Sequence, residues 1–245
     1  PDVPPYAMAT LRPRSTYHMG NAVRRAAEDP LDELLALAAE LGLPPETTPI
    51  PELFRKKYGM QAGNVVGMGS FVPAYAPTDH ATGQSENVTP FWMVGATGVE
   101  VEVDIETGAF ELTRLVNVAD CGKAFNPAIL ATQLSGAAIM QLGFSVTEQM
   151  LFRDGQLGNA SLADYKIPGL RDLPAVIENE AIDGHEHGGP FGAKGVGESG
   201  TFGVSPALAN AIEDAVGVRL TALPVTAEAV YRALRAQQGQ PLEDG

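Results

Sequence analysis

Residues 99–105 read Val-Glu-Val-Glu-Val-Asp-Ile, apolar and acidic in strict alternation. A period of two places the apolar side chains on one face of an extended chain and the carboxylates on the other, so the segment is a half-buried strand. Glu106-Thr107-Gly108 makes the turn, and Phe110 to Val118 returns as the second strand of a hairpin. Further strand candidates are Met150 to Phe152, with Asp154-Gly155 as its turn, and Ala175 to Ile182.

Helical signals are interspersed with these strands. Ala22, Val23, Ala26 and Ala27 form one apolar stripe; Leu31, Leu34, Leu35, Ala38 and Leu41 form another. Pro30 lies between them and does not fit inside an unbroken helix. The pattern predicts two helices, with Asp29 capping the second and Pro30 at its first position, ended by Gly42 and Pro44-Pro45. Asn126-Pro127 opens a long apolar helix over Ala128 to Glu148, with Gly136, Ala137, Ala138 and Gly143 small enough for another backbone to approach. Ser205-Pro206 starts an amphipathic helix running to about Ala215, and Thr226 caps a last one running to about Ala236, before a polar tail. Residues 1–16, with four prolines, read as an ordered or partner-bound loop. Residues 43–98 are rich in Gly, Pro and Thr and give no clear period; Phe71, Tyr75, Phe91 and Trp92 read as strand or pocket-wall aromatics. A hairpin, isolated strands and helices without regular βαβ alternation predict an α+β fold.

Composition narrows the function. With 245 residues, 44% apolar and 19% charged, the chain can bury a sizeable core in one large domain or two small ones. Sixteen basic and 30 acidic residues give a formal net charge of −14, which argues against a nucleic-acid-binding face and against docking on an anionic membrane. A small or neutral ligand, or a protein partner, fits better. One cysteine, Cys121, excludes a disulfide framework, a cysteine-rich zinc site and an iron–sulfur cluster held by this chain alone. No apolar run approaches the ~18 residues that span a bilayer. No signal peptide is recognised, so the expected compartment is the cytoplasm. A first residue that is proline suggests a processed start or the edge of a longer chain.

The segment Gly188 to Gly200, GGPFGAKGVGESG, is the richest in chemistry. Gly195, Gly197 and Gly200 match G-x-G-x-x-G, but His185-Glu-His-Gly-Gly-Pro before them is no strand, so the dinucleotide fingerprint lacks its context. Its glycines let a backbone approach a ligand and present N–H donors, and Lys194 adds a positive charge. Glu198 suits a general base if its surroundings are crowded and partly dry; the alternative is a solvated glutamate in a loop. Gln133, on a helix face of small and apolar residues, reads either as a satisfied amide or as a hydrogen-bond partner for a planar cofactor edge. Arg12-Pro-Arg14-Ser-Thr16 reads as a surface turn or as a cradle for phosphate or pyrophosphate before a helix. His185 and His187 alone make a poor metal site, and Cys121 reads as a buried small residue rather than a nucleophile.

Four separated motifs together resemble the molybdopterin-binding subunit of the xanthine oxidase family, the molybdenum hydroxylases. They are Arg14-Ser-Thr-Tyr-His-Met-Gly-Asn-Ala-Val23; Asp120-Cys-Gly-Lys-Ala-Phe-Asn-Pro127 followed by Gln133 and Gly136; Asp164-Tyr-Lys-Ile-Pro168; and Gly189-Pro-Phe-Gly-Ala-Lys-Gly-Val-Gly-Glu198. The resemblance covers nearly the whole chain. It implies one C-terminal molybdopterin-binding domain over 1–245, with a dinucleotide-contacting part at 1–98 and the catalytic glutamate loop within 99–245. It further implies Glu198 as the base that takes a proton from the metal's hydroxyl as that oxygen attacks an electron-poor carbon, the hydride leaving to the molybdenum centre. Gln133 would hydrogen-bond a molybdopterin cytosine dinucleotide, the loop Arg12, Pro13, Arg14, Ser15, Thr16 would hold its pyrophosphate, and the backbone of Lys194, Gly195, Val196 and Gly197 would line it. Molybdenum is held by the pterin dithiolene, so no protein ligand to the metal is implied.

This sequence departs from the family in two ways. The loop before Arg14 usually reads Gly-Ser where this chain has Arg12-Pro13. The chain also corresponds to about the last third of a usual large subunit. The resemblance therefore implies a second polypeptide carrying the front part, with the long helix and the proline-rich start partly facing it across a large interface. Iron–sulfur (2Fe-2S) and FAD subunits would be further partners. The implied reaction is oxidation of a C–H bond of an N-heteroaromatic or aldehyde with water as oxygen source. A carbon-monoxide-oxidising enzyme of the same family and a non-catalytic structural subunit are the alternatives.

Overall fold

The structure, a computed structural model, describes residues 7, 9–59 and 64–240. The rest of the proline-rich start and the end of the polar tail lie outside the described residues. The chain divides into two compact units, Pro1–Trp92 with Glu186–Gly195, and Met93–His185 with Val196–Gly245.

In the first unit α1 runs unbroken from Ser15 to Glu40, through Pro30. This corrects the two-helix expectation. Pro30 has no N–H to give the Ala26 carbonyl, and tertiary structure covers that carbonyl instead. A Cβ on Gly67 would come within 1.8 Å of the Ala26 oxygen and 2.4 Å of Pro30 Cδ. Beside it the Asp29 carboxylate accepts the Met68 N–H at 3.2 Å, and Arg25 donates to the Ser70 carbonyl at 2.7 Å. The segment 67–70 lies on the weak turn, so the helix continues through it. Gly42, at φ +64°, follows the helix end. A second helix, α2 (Ile50–Tyr58), fell in the stretch left unassigned by sequence. Its signals were present: Pro51 in the first turn, Glu52 near the N-terminus and Arg55, Lys56 and Lys57 in the last turn. Tyr17 stacks on Phe91, centroids 4.9 Å apart, and meets Phe71 edge-on. Tyr75 and Trp92 are exposed.

The second unit holds the predicted hairpin, β1 (Gly95–Val103) and β2 (Phe110–Asp120), antiparallel; β1 starts at Gly95 rather than Val99, and Asp104 and Ile105 leave the strand for the turn. At its turn the Asp104 carboxylate accepts the Glu106 N–H at 2.8 Å, and Gly108 adopts φ +74°. Next, α3 spans Pro127–Val146, its N-terminus capped by Asn126 accepting from the Ile129 N–H. A minimal pair, β3 (Phe152–Arg153) and β4 (Gln156–Leu157), sits one to two residues later than expected. The Val176–Ile182 strand, β5, pairs parallel with β2, giving the order β1-β2-β5. Helix α4 covers Val204–Val216 and α5 covers Ala227–Gln237. Thr226 caps α5 through the Ala229 N–H, as predicted. Ser205 does not cap α4; Gly203 is the N-cap residue, and the Ser205 hydroxyl instead accepts from Gln141 of α3. Leu115 of β2, Leu142 of α3, Leu208 and Ile212 of α4 and Val230 of α5 bury the core of this α+β unit.

One exclusion drawn from sequence is corrected by α3. Its 20 uncharged residues are long and apolar enough to cross a membrane by length and composition. Its polar residues had masked the run. One side, with Leu130, Leu134, Ala138 and Leu142, is buried in the unit, as in a core helix.

Candidate active-site loop

The predicted site residues fall in both units. In the first, Leu11 to Arg14 form a turn closed by the Arg14 N–H on the Leu11 carbonyl. Arg12 sits at φ 55°, in the left-handed region that favours glycine. Arg12 thus stands in a conformation that a glycine, which the resemblance implies for this loop, would take without strain. Ser15 and Thr16 open α1, whose first turn carries no acidic residue and no side-chain cap. A 26-residue helix begun this way presents N–H groups and a partial positive charge. Gly195 lies against this loop, since a Cβ there would come 1.2 Å from the Pro13 carbonyl oxygen. The structure thus brings Pro13, Arg14 and Gly195 together. Lys194 is 8% exposed and its Nζ donates to the Trp92 carbonyl at 3.3 Å. Upstream, Asn21 donates to the Gly188 carbonyl at 2.8 Å, and Pro190 packs on Gly20.

In the second unit a run of turns carries Glu198. The Ser199 N–H donates to the Val196 carbonyl, and the Thr201 N–H and hydroxyl both donate to the Glu198 carbonyl. Gln133 on α3 donates from Nε2 to the Gly197 carbonyl at 2.8 Å. Gly200 touches the same helix: a Cβ there would stand 2.5 Å from the Leu134 carbonyl oxygen and 3.0 Å from Ala137 Cβ. Ser199 is buried, its hydroxyl on Met93 sulfur at 3.6 Å. The loop is held on both sides of Glu198, whose own side chain is exposed. The crowded surroundings expected for that carboxylate are not supplied by these described residues.

Sequence reading counted Gly200 only as the third glycine of a weak pattern. Its role is close packing on α3, which no local signal reveals. Cys121 is buried with its thiol on the Gly122 carbonyl at 3.0 Å. Among the described residues no group of three His, Cys, Asp or Glu side chains is gathered as a metal would require. A cleft of about 490 Å³ between α1 and α2, lined in part by Leu34, Phe54 and Tyr58, contains none of the predicted site residues.

Comparison with known proteins sets the class. The model of the molybdopterin cofactor-binding domain family matches residues 2–174. The probable hypoxanthine oxidase XdhD of Escherichia coli K12 is 30% identical over 226 residues, 89% of this chain and 23% of that protein. The 6-hydroxypseudooxynicotine dehydrogenase complex subunit gamma of Paenarthrobacter nicotinovorans is 30% identical over 248 aligned residues, 93% of this chain and 30% of that protein. Aldehyde oxidoreductase from Desulfovibrio gigas superposes with a TM-score of 0.75 at 26% identity, over 91% of this chain and 23% of that one. The chain belongs to the molybdopterin cofactor-binding domain family of the molybdenum hydroxylases, and it spans about a quarter to a third of the length of these relatives.

The backbone suits such a group. Among the described residues, the buried Gly195 N–H of the first unit makes no hydrogen bond, nor do the half-buried Val196 and Gly197 N–H groups of the second. A buried donor left unpaired costs about 1–3 kcal/mol. The buried Gly195 N–H calls for an acceptor, which a ligand oxygen can supply.

Proposed function

We propose that this chain is the catalytic-base part of a molybdenum hydroxylase that oxidises a C–H bond of an N-heteroaromatic or aldehyde substrate, with water as oxygen source. The observation that carries this reading is the Glu198 loop. Its carboxylate is exposed while the residues on both sides are fastened to α3, by Gln133 at Gly197 and by close packing at Gly200. A carboxylate so presented can take up a proton from a water-derived nucleophile without the loop rearranging.

A molybdopterin cytosine dinucleotide with molybdenum would supply the two-electron redox chemistry when bound. Arg12, Pro13, Arg14, Ser15 and Thr16, at the N-terminus of α1, are assigned its pyrophosphate, since guanidinium forks and helix N–H groups suit that charge. The backbone of Lys194, Gly195, Val196 and Gly197 is assigned the pterin side. Gln133 is assigned a hydrogen bond to the dinucleotide in addition to its bond to Gly197.

A relative named as a subunit of a dehydrogenase complex supports partner chains. We assign the front of the molybdenum subunit to a second polypeptide, and the onward electron path to iron–sulfur and FAD subunits, in the cytoplasm. Ile129, Met140 and Phe144 are exposed along α3, and Gly136 between them has open space around it. That apolar stripe suits a large subunit interface.

The test is metal analysis and mass spectrometry on the native complex captured through this chain, with Glu198→Gln alongside. About one molybdenum per chain, a second polypeptide, and turnover lowered about 10²–10⁴-fold in the variant at unchanged molybdenum content are expected. Turnover at the parental rate in the variant removes Glu198 from the chemistry.

A further inference from the structure

A directional line of hydrogen bonds crosses the second unit beneath the Glu198 loop. The Thr97 hydroxyl on β1 donates to Asn117 Oδ1 on β2 at 3.3 Å. Asn117 Nδ2 donates to Asn179 Oδ1 on β5 at 3.3 Å, and Asn179 Nδ2 donates to the Ser135 hydroxyl on α3 at 2.7 Å. The three strand residues stand directly opposite one another in register, Thr97 to Asn117 and Asn117 to Asn179. Asn117 is 1% exposed on a strand face it shares with the buried Leu115 and Ala119. A polar side chain in that position has to be satisfied, and here it is satisfied only if all three strands and the helix keep their setting.

One end of the line touches the loop, and the other lies beside the residues of α3 that hold it. Ser135 lies two residues from Gln133, the side chain that holds the Gly197 carbonyl, and one residue from Leu134, whose carbonyl Gly200 packs against. At the other end Thr97 abuts Gly203, the residue that ends the loop and precedes α4: a Cβ on Gly203 would fall 2.2 Å from Thr97 Oγ1. The line therefore adds a polar constraint on α3 beside its Gln133 turn and a contact where the loop ends.

We infer that Asn179, with Asn117 and Ser135, is a positioning residue for the catalytic loop. It sets where Glu198 stands through α3 and touches neither substrate nor cofactor. This rests on the reading of Glu198 as the base. Its prediction is a selective one: breaking the line loosens residues 196–203 before it loosens the rest of the unit.

The experiment compares Ser135→Ala, Ser135→Thr and Asn179→Ala in the full chain, in the assembly with which it purifies. Alanine is a strong helix former, so Ser135→Ala removes the hydroxyl without disfavouring α3. Hydrogen exchange of peptides covering 196–203 is expected to quicken about fivefold in Ser135→Ala and Asn179→Ala, with the β1–β2 turn and α5 unchanged. Turnover is expected to fall by a similar factor at unchanged KM and molybdenum content, and Ser135→Thr is expected to restore both. The double variant Ser135→Ala/Asn179→Ala is expected to be no worse than Asn179→Ala alone, because that single change already breaks the Asn179–Ser135 bond. Exchange in 196–203 that stays parental, or that rises equally throughout the unit, overturns the inference. Glu198→Gln, run in parallel, separates the two readings. A parental rate there dismisses Glu198 as base, while the exchange result still decides whether the line positions the loop.

Discussion

Replacing Gly200 with alanine tests the link between packing and chemistry most sharply. The added Cβ would stand 2.5 Å from the Leu134 carbonyl oxygen and 3.2 Å from the Ala138 nitrogen. Both neighbours belong to the backbone of α3 on its buried side and cannot turn aside as a side-chain tip could. Relief to an ordinary contact needs a displacement of about 1 Å, and the loop is the part free to move. Overpacking of this kind costs about 1–3 kcal/mol, offset by about 0.4–1 kcal/mol from the lost freedom of glycine in the unfolded chain. A net loss of about 1–2 kcal/mol lowers the melting temperature of a chain this size by only about 2–8 °C. Activity should suffer far more, because Glu198 is two residues away and a misplacement of about 1 Å can cost about 10²-fold in rate. Steady-state kinetics on the assembled complex, with molybdenum content and calorimetric melting measured on the same samples, separate the two effects. Gly98→Ala on β1, where nothing lies within 4 Å of the new Cβ, is the control. A Gly200→Ala complex with parental kcat and full metal content would refute the reasoning.

Other outcomes follow from the same geometry. Gly67→Ala would thrust a Cβ to 1.8 Å from the Ala26 carbonyl, so it should lift segment 67–70 off α1 and destabilise the chain by about 1–3 kcal/mol in urea titration. Gly136→Ala, in open space on the same helix that rejects a Cβ at Gly200, should instead stabilise α3 by about 0.5–1 kcal/mol. Burial, then the Glu186 charge, raises the Tyr17 hydroxyl above its ordinary pKa of 10.0. The folded state thus holds that proton more tightly, so the stability is complete below about pH 10 and is lost as pH rises through the folded value. Tyr17→Phe should flatten that alkaline limb of the denaturation midpoint. The Glu106 N–H, then Thr107, holds the Asp104 carboxyl below its ordinary range, so its contribution is present above about pH 4 and is lost as pH falls through the folded value. Asp104→Ala should remove that acid-side dependence.

Much of the second unit was legible because its signals are local. Strict alternation at 99–105, an Asn-Pro helix start and a Thr cap each depend on a few adjacent residues; the helix start and the cap appear where expected, and the alternation marks a strand that begins at Gly95 and ends at Val103. The first unit was less legible. Pro30 carries a strong local stop signal, and it was overridden by a glycine and an aspartate contact contributed from residues 67 and 68. At the site, sequence pointed to Glu198, Gln133 and the Arg12–Thr16 loop. It did not disclose that Gln133 fastens the Gly197 carbonyl, nor that Asn117 occupies an inward position of its strand. The signal for Asn117 was available, a polar residue in phase with the apolar ones, but its partners lie on other strands.

The sequence by itself determined the periods, the caps, the turns and the motif chemistry, because each is a property of neighbours along the chain. Only the tertiary structure decided which broken helix remains whole, which glycines must stay glycine, and what holds the loop around Glu198. Those depend on atoms brought within about 4 Å from tens of residues away, where close packing leaves no room for a methyl group.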